Sequence, residues 1–451
     1  MRHSGARLFQ GVAGQEPETS RGRESRFPRE RAIGRTIKLI LKDRMPAVRW
    51  GRVRRAHLVL FRGQKNPHLK RALESLGGES LDPKQREFYV DPRFVFHFLR
   101  FLALTRSPQQ AVTLAYLRIA KTRVICMMEN YDKRLGTTPK LRWSDVLYRY
   151  LPGICVVKVQ HGQDLQRRPM PANRKGVLAV WGQFSAEWFP KFGRVEQTYV
   201  ITGALSDSRY RALVRNVRLR KHPGLCVVST VKDEEWWGPP RTERRLGYEA
   251  LMDFIARYRC GSQIPVAIAL TVDRFVSGGV DQSELERQYF TDRFGTDIFF
   301  PDPSLRFGGL AVDEAEDELE NNSKERYSSY ALTDASTLSV GATGSTLWEA
   351  FGRGNRVLAV NLTDNPAFDF PVPGPWSMRQ PSFEDFAARC SELISMPIEQ
   401  YQALSAEARS YLMYYDSCDL PEERLRRYVE AVLQTGDPDK SNALLNHGRI
   451  R

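Results

Sequence analysis

The chain has 451 residues, 41% of them hydrophobic, and a formal net charge of +15. That length exceeds one ordinary hydrophobic core and predicts two domains with extensions. No segment approaches the roughly 20 apolar residues of a membrane-spanning helix, and the N-terminus lacks the apolar core of a secretory signal. The six cysteines are scattered without a C-x-x-C pair, which disfavours a structural zinc and favours a reduced, cytoplasmic protein.

The positive charge is concentrated in an N-terminal arm. Residues 1–55 hold fifteen Lys or Arg against five Asp or Glu, a net charge of +10, whereas the remaining 396 residues carry +5. Residues 1–30 are polar and aperiodic, which predicts a partly disordered arm. Over residues 31–55, apolar residues recur at helical spacing among cations. This pattern fits a basic helix on an anionic membrane surface, or a helix that packs on the first domain.

From residue 56 onward, short apolar runs that predict strands alternate with helical patterns. A first series has strands at 57–61, 87–90, 123–128, 154–159, 177–181 and 198–202, with helices at 94–104, 109–121, 143–150 and 185–192. A second series has strands at 225–229, 265–270, 335–340 and 356–361, an extended segment at 297–300, and helices at 243–258, 284–294 and after Gly344. Helices at 383–394, 398–411 and 422–433 close the chain.

This alternation predicts parallel sheets flanked by helices, and a break near residues 206–223 predicts two of them. We expect an arm over 1–55, a Rossmann-like acceptor domain over 56–205, a Rossmann-like nucleotide-donor domain over 206–420, and a closing helix and polar tail over 421–451. In open α/β sheets, ligands bind beyond the carboxyl ends of the strands. Loops that directly follow strands are therefore the first places to look for a site.

The loop before the helix that follows Gly344 has the composition of a phosphate cradle. Thr343, Gly344, Ser345 and Thr346 stand where that helix begins, and helix starts attract phosphate through unpaired N–H groups and the peptide dipole. Glu349 follows one turn later and could accept a hydrogen bond from a ribose hydroxyl. The alternative is a capping box from Thr346 to Glu349, which needs no ligand. Both can hold at once.

A histidine follows a strand in the first half. His161 comes directly after the apolar run that ends at Val159, between Gln160 and Gly162. An imidazole there can accept a proton near neutral pH, and Asp164 is close enough in sequence to orient or replace it. The alternative is a loop histidine satisfied by backbone groups.

Polar residues also follow two strands of the second half. Ser229, Thr230 and Lys232 follow the first strand and Arg274 follows the next, where they could meet phosphate oxygens or be ordinary loop residues. No H-x-x-x-H pattern or acidic triad indicates a metal site, so we expect neither a metal nor a bound cofactor.

The order of motifs resembles a known family. The runs RVICMMEN, ICVVKVQHG, VLAVWG and YVITGA are similar to the amino-terminal domain of bacterial surface-carbohydrate transferases related to the CDP-glycerol glycerophosphotransferases. The run TLSVGATGSTLWEAFGRGNRVLAVN resembles the donor-binding motif of GT-B glycosyltransferases. The resemblance implies a GT-B-like pair of Rossmann-like domains facing a cleft, with His161 as base, residues 343–346 on the donor phosphates and Glu349 on the ribose. One departure is that no His-Pro pair follows the strand ending at Leu270, which argues against glycerol-phosphate transfer.

These observations predict a cytoplasmic glycosyltransferase. It would be free in the cytoplasm or associated with the inner face of the cell membrane. It would move a sugar from a nucleotide-activated donor, which is a co-substrate, to a surface-polysaccharide or lipid-linked acceptor. Alternatives of the same fold are a glycerophosphotransferase and a nucleotide-sugar epimerase. Alternatives of another class are a non-catalytic scaffold and a nucleic-acid-binding protein that uses the basic arm. The nearly neutral remainder of the chain disfavours nucleic acid.

Overall fold

The computed structural model describes residues 47–61, 67–81, 87–129, 142–162, 173–191, 196–231, 242–271, 276–277, 280–312 and 326–447. Most of the predicted arm lies outside these residues, including its helical pattern and the proposed membrane contact. Asp164, Lys232 and Arg274 also lie outside them. By contacts within the chain, residues 47–49, 87 and 88 belong to a small unit, and the other described residues belong to a large one. In the small unit's region, strands β1 (Ala47–Trp50) and β4 (Glu87–Val90) pair with each other.

The first domain of the large unit contains a six-stranded sheet in which every neighbouring pair is parallel. The spatial order is β3-β2-β5-β6-β7-β8. Its strands are rich in Val, Ile and Leu because helices cover both faces of a parallel sheet. The strands are β2 (Leu58–Phe61), β3 (Glu79–Leu81), β5 (Val124–Met128), β6 (Cys155–Val159), β7 (Asn173–Val180) and β8 (Glu196–Ile201).

In the described part of the chain, helices lie on most of the connections between these strands. Two of them, Pro92–Thr105 and Pro108–Ile119, pack against each other as a hairpin between β4 and β5. Each begins with proline in the first turn, and the side chains of Asp91 and Ser107 cap them. The helices are α1 (Pro67–Leu73), α2 (Pro92–Thr105), α3 (Pro108–Ile119), α4 (Trp143–Tyr150), α5 (Gln183–Lys191) and α6 (Leu205–Val214); a single 3₁₀ turn spans Glu74–Leu76.

The second domain contains a five-stranded parallel sheet in the order β10-β9-β13-β14-β15. Its strands are β9 (His222–Val228), β10 (Val266–Ala269), β13 (Ser336–Gly341), β14 (Val357–Asn361) and β15 (Ser377–Arg379). Strands β11 (Val276–Ser277) and β12 (Val280–Asp281) form a short antiparallel pair. The helices are α7 (Glu243–Ser262), α8 (Gln282–Phe294), α9 (Ser328–Ala335), α10 (Ser345–Arg353), α11 (Phe383–Ser395) and α12 (Ile398–Leu412), with a 3₁₀ turn at Pro366–Phe368.

The chain then crosses back to the first domain. The backbone at the end of α12 passes so close to Gly182 that a Cβ atom there would lie 2.3 Å from the carbonyl oxygen of Leu412. The N–H of Tyr414 donates to the carbonyl of Trp181 at 2.7 Å. Helix α13 (Pro421–Thr435) then buries Leu425, with Tyr428, Val429 and Val432, in the core of the first sheet. The last helix, α14 (Pro438–His447), is held to β8 by hydrogen bonds to Asp439.

The predicted fold class of two Rossmann-like α/β domains with closing C-terminal helices is confirmed. Two helices were not predicted. Helix α6 lies within the break near residues 206–223, and its buried Tyr210 packs on the second domain. Helix α14 lies within the predicted polar tail. Among the described residues, no helix is long and apolar enough to cross a membrane.

Candidate active site

The carboxyl ends of β9 and β13 define a site on the second sheet. The chain goes from β9 to β10 on one side and later returns to β13 on the other side of β9. The strand order therefore reverses between β9 and β13, and such a switch point opens a crevice for ligands. The residues after the two strands meet there. A Cβ atom at Gly344 would lie 3.9 Å from the Cγ2 of Thr230.

Helix α10 begins in this crevice at Ser345. Its N-cap residue is Gly344, in extended conformation with φ 174°, and glycine has no side chain with which to cap the first turn. A helix start without a side-chain cap from its N-cap residue is the arrangement that phosphate-binding loops use. Thr343 is buried beside the turn, and Ser345 and Thr346 are partly exposed on it. The capping-box alternative is wrong because Thr346 lies inside the helix.

Glu349 lies one turn into α10 and is 3% exposed. The hydroxyl of Ser206, on α6, donates to its Oε1 at 3.0 Å, and the Tyr330 hydroxyl is also hydrogen-bonded to its carboxylate. Burial, followed by the negative charge of Asp207, raises the pKa of Glu349 to about 7, against the opposing effect of these bonds and of Arg353. The predicted ribose contact stays a prediction, since the carboxylate already has protein partners.

The last residue of α10 is the centre of a buried ionic network. The guanidinium of Arg353 donates to Asp207 and to Asp334, at 2.8 Å each, and to Thr333 at 2.7 Å. It also lies over the ring of Tyr210. Asp207 belongs to α6, whereas Asp334 and Thr333 belong to α9. The network therefore fixes α10 to the helix that joins the two domains.

In the first domain, Gln160 organises the turn that carries His161. Gln160 is 3% exposed, and its Oε1 accepts from the N–H of Trp181 at 2.9 Å while its Nε2 donates to the carbonyl of Gly162 at 3.1 Å. These two bonds fasten the turn to β7 and leave His161 on the exposed side. This role of Gln160 was not predicted. The sequence feature that could have indicated it is an amide side chain between a buried strand and the His-Gly pair.

The two predicted loops lie against each other across the domains. A Cβ atom at Gly162 would lie only 2.7 Å from the Oγ of Ser345, which is shorter than any normal contact. The absence of a side chain at Gly162 thus permits the turn of His161 to touch the start of α10. This contact brings together two features that were predicted from separate halves of the chain. One is the candidate base, His161, and the other is the candidate phosphate cradle at the start of α10.

Ser229 and Thr230 form the floor of the crevice, and both are buried. Ser229 is engaged locally, since its Oγ accepts from the N–H of Val231 at 3.2 Å and its carbonyl accepts from the hydroxyl of Thr271 at 2.9 Å. The Thr230 hydroxyl is different, because it is buried without a hydrogen-bond partner in the described part of the chain. An unsatisfied buried hydroxyl is costly, and a ligand oxygen would satisfy it.

The end of β10 is braced by a carboxylate that the sequence did not indicate. Glu286 of α8 is 1% exposed and accepts from the N–H of Thr271 at 3.0 Å. Lys232 and Arg274, which were expected to join Ser229 and Thr230, follow β9 and β10 but lie outside the described residues, as does Asp164. Within the described residues, no group of three or more metal-ligating side chains is assembled.

Comparison with known proteins finds no matching family model and no matching curated protein. A similar solved structure is a protein assigned as a UDP-N-acetylglucosamine 2-epimerase from Listeria monocytogenes, with 12% identity, coverage of 85% of this chain and 98% of that chain, and a TM-score of 0.49. Two histidine variants of the wall teichoic acid polymerase TagF, one soaked with CDPG, show 10% and 8% identity. They cover 90% of this chain and 97% of their own, with TM-scores of 0.42 and 0.40.

These neighbours include the transferase class that the motif order resembles. At this level of similarity they carry no argument about the reaction. The site therefore rests on the geometry of this chain alone.

The contact between the two loops can be tested by a double-mutant cycle. Gly162→Ala should lower the free energy of unfolding by roughly 1 kcal/mol, because its methyl group meets the Ser345 hydroxyl. In the background of Ser345→Ala the nearest remaining atom is the Cβ at 3.8 Å, so most of the loss should disappear. Urea denaturation measures all four proteins.

The matched control for this cycle is Gly153→Ala. A Cβ atom at Gly153 would have no neighbour within 4 Å, and neither glycine has a positive φ. The control should therefore show no coupling to Ser345→Ala. Additive effects of Gly162→Ala and Ser345→Ala would contradict the apposition of the loops.

The raised pKa of Glu349 predicts a pH-dependent stability. Below pH 4.5 the carboxyl is protonated in both states; between pH 4.5 and about 7 the folded protein holds a proton that the unfolded chain has lost. Stability should therefore fall as pH rises through this window, by an amount on the order of 3 kcal/mol. Glu349→Gln should flatten that part of the stability curve.

Denaturant titrations at several pH values measure this effect. Glu392→Gln, which removes a carboxylate whose side chain is 52% exposed, serves as the control for loss of one negative charge. If the Glu349→Gln protein keeps the wild-type slope between pH 4.5 and 7, the carboxylate does not titrate in the buried network.

Proposed function

We propose that the chain is a glycosyltransferase that moves a sugar from a nucleotide-activated donor to a surface-polysaccharide or lipid-linked acceptor. The observation that carries this proposal is the contact between Gly162 and Ser345, which sets an exposed histidine beside an uncapped helix start at a sheet switch point. Sugar transfer needs two functions in one place. One is a base for the incoming hydroxyl, and the other is a set of hydrogen-bond donors that stabilise the negative charge of the departing diphosphate.

The donor's diphosphate would bind at the start of α10. The N–H groups of its first turn and the hydroxyls of Ser345 and Thr346 would donate to phosphate oxygens, with Thr343 supporting the turn. Thr230 would donate its buried hydroxyl from the floor. As the bond between the sugar carbon and the phosphate oxygen breaks, negative charge grows on the diphosphate. The same donors then stabilise it more strongly than they stabilise the bound donor.

The acceptor would approach from the side of the first domain. His161 would take the proton of the acceptor hydroxyl as its oxygen forms a bond to the sugar carbon, and the nucleoside diphosphate would leave with the electron pair of the broken bond. Gln160 acts as a positioning residue, because its amide holds the turn on which His161 stands. Asp164 is proposed as a partner or substitute for His161 on sequence grounds alone.

The proposal places the reaction in the cytoplasm at the inner face of the cell membrane, where a lipid-linked acceptor is presented. Ser229 has a supporting role, since its backbone and hydroxyl shape the floor. Lys232 and Arg274 are proposed as further phosphate contacts from the same strand ends. We place the ribose near Glu349. To bind a ribose hydroxyl, the carboxylate would have to give up its hydrogen bond to Ser206 or to Tyr330.

The phosphate site can be tested with Thr230→Val, which replaces a hydroxyl by a methyl group of similar size. Thermal-shift measurements with UDP, CDP, GDP and their sugar conjugates should show one selective shift for the wild type. Loss of a hydrogen bond to a charged ligand, worth about 1.5–3 kcal/mol, should weaken that nucleotide's binding by tenfold or more.

Thr122→Val is the matched control, because the Thr122 hydroxyl is also buried without a partner in the described part of the chain but lies in the first domain. Neither variant should lose stability, since each removes an unsatisfied group. Equal nucleotide binding by both variants would remove Thr230 from the site. No shift with any nucleotide would count against the whole proposal.

His161→Ala should strongly slow transfer while donor binding is retained. General-base catalysis contributes about 10²–10⁴-fold, so release of nucleoside diphosphate, with a bacterial membrane fraction as acceptor source, should fall by that factor. His57→Ala replaces another exposed histidine that lies before β2 and serves as the control. Normal turnover by the His161→Ala protein would exclude this residue as the base. Release of nucleotide without any acceptor would indicate a hydrolase.

A further inference from the structure

Helix α2 presents an apolar face to solvent. Its sequence, PRFVFHFLRFLALT, is apolar at ten of its 14 positions, so one helix face cannot bury all of its apolar side chains. Phe94 and Phe101 point inward and are buried. Phe96 and Leu99 point outward and are 65% and 58% exposed, which makes Phe96 the most exposed large hydrophobic residue in the described part of the chain.

The outward residues form one stripe. At 100° per residue, Phe96, Leu99 and Ala103 fall within a sector of about 60° on one side of the helix. Val95 borders this sector at 39% exposure, and Leu104 adds a further 52% exposed side chain near the end of the helix. Contiguous exposed apolar patches are uncommon on monomeric proteins and mark surfaces that another body covers. On its inner side α2 packs against α3, which leaves this stripe as its outer surface.

Cations border the stripe. Arg93 and Arg100 lie along one flank, and Arg106 follows the last turn; all three are exposed. The nearby acid, Asp91, caps the helix and pairs with Arg93 at 2.7 Å, so it presents little free negative charge. The pKa of His97, in the middle of the helix, is lowered by burial and then by the positive charges of Arg118, Arg100 and Arg93. The surroundings of the stripe are therefore cationic.

We propose that α2 is a membrane-docking helix, which lies flat on an anionic lipid surface with Phe96 and Leu99 in the acyl boundary and its arginines on the headgroup phosphates. An apolar stripe with an arginine border is complementary to such a surface. The helix has 14 residues, about 21 Å, which suits a helix lying in the interface plane and is too short to span a bilayer.

The same cations disfavour other occupants. A second copy that paired through this stripe would bring Arg93 and Arg100 toward their own counterparts. The chain's N-terminal arm carries a net charge of +10, so it is repelled from the same border. The inference does not rest on the proposed reaction, since it uses residues of the α2–α3 hairpin only. If both hold, the reaction takes place beside the surface on which lipid-linked acceptors are presented.

Vesicle flotation of the full-length chain tests this inference. Vesicles of equal parts phosphatidylcholine and phosphatidylglycerol should float the wild type, and vesicles of phosphatidylcholine alone should do so less well. The double variant Phe96→Ser, Leu99→Ser should lower partitioning to the anionic vesicles about tenfold or more, because it removes the two largest apolar anchors. Arg100→Gln should weaken binding to the anionic vesicles selectively.

The control is Leu246→Ser, Leu404→Ser, which removes two leucines that are 50% and 51% exposed on α7 and α12. Every substituted side chain is exposed, so melting temperatures should change little. Equal flotation of the two double variants would overturn the inference and leave the binding to another segment. Absence of flotation by the wild type would also overturn it. A wild-type dimer that the α2 variant dissociates, without lipid binding, would assign the stripe to a second copy.

Discussion

The buried guanidinium of Arg353 is the interaction on which the candidate site depends. It is bonded to Asp207 of α6 and Asp334 of α9, and burial, which works against its charge, is outweighed by these two carboxylates. Removing one partner of such a group typically costs about 3–5 kcal/mol, since the remaining charges stay buried. Because Arg353 ends the helix that Ser345 begins, this network sets where the first turn of α10 lies relative to the first domain.

Close backbone crossings fix the other side of the site. The end of α12 passes Gly182 and the segment after it passes Gly203, both at distances that leave no room for a Cβ atom on the first-domain glycine, and Gly203 also has φ 89°. Side-chain rings fill the space next to them, where Trp181 and Phe184 meet Trp348 of α10 edge to face. Since Trp181 also donates its N–H to Gln160, the same packing that joins the domains positions the turn of His161.

Much of the fold could be predicted from the sequence because apolar runs and helical periods are local signals. The carboxyl ends of the strands that end at Val159, Val228 and Gly341 were predicted to within one residue, so the loops after them were recognised as candidates. Short elements with weak patterns, such as α6 and α14, were missed. The hydrogen bond between Glu349 and Ser206 joins residues 143 positions apart, and no local sequence pattern in either segment predicts it. Similarly, the contact of Gly162 with Ser345 depends on how two sheets pack.

The burial of Glu349 changes the meaning of its motif. The sequence spacing predicted either a helix cap or a ribose ligand at Glu349. In the structure its carboxylate faces helix α6, and burial and Asp207 raise its pKa to about 7. The protonation state of Glu349 affects its hydrogen bond to Ser206, which connects α10 to α6. A ligand at the start of α10 and a proton on Glu349 therefore act on the same helix. Donor binding and pH are therefore expected to be linked through α10, and the ribose contact, if it forms, would require Ser206 or Tyr330 to release the carboxylate.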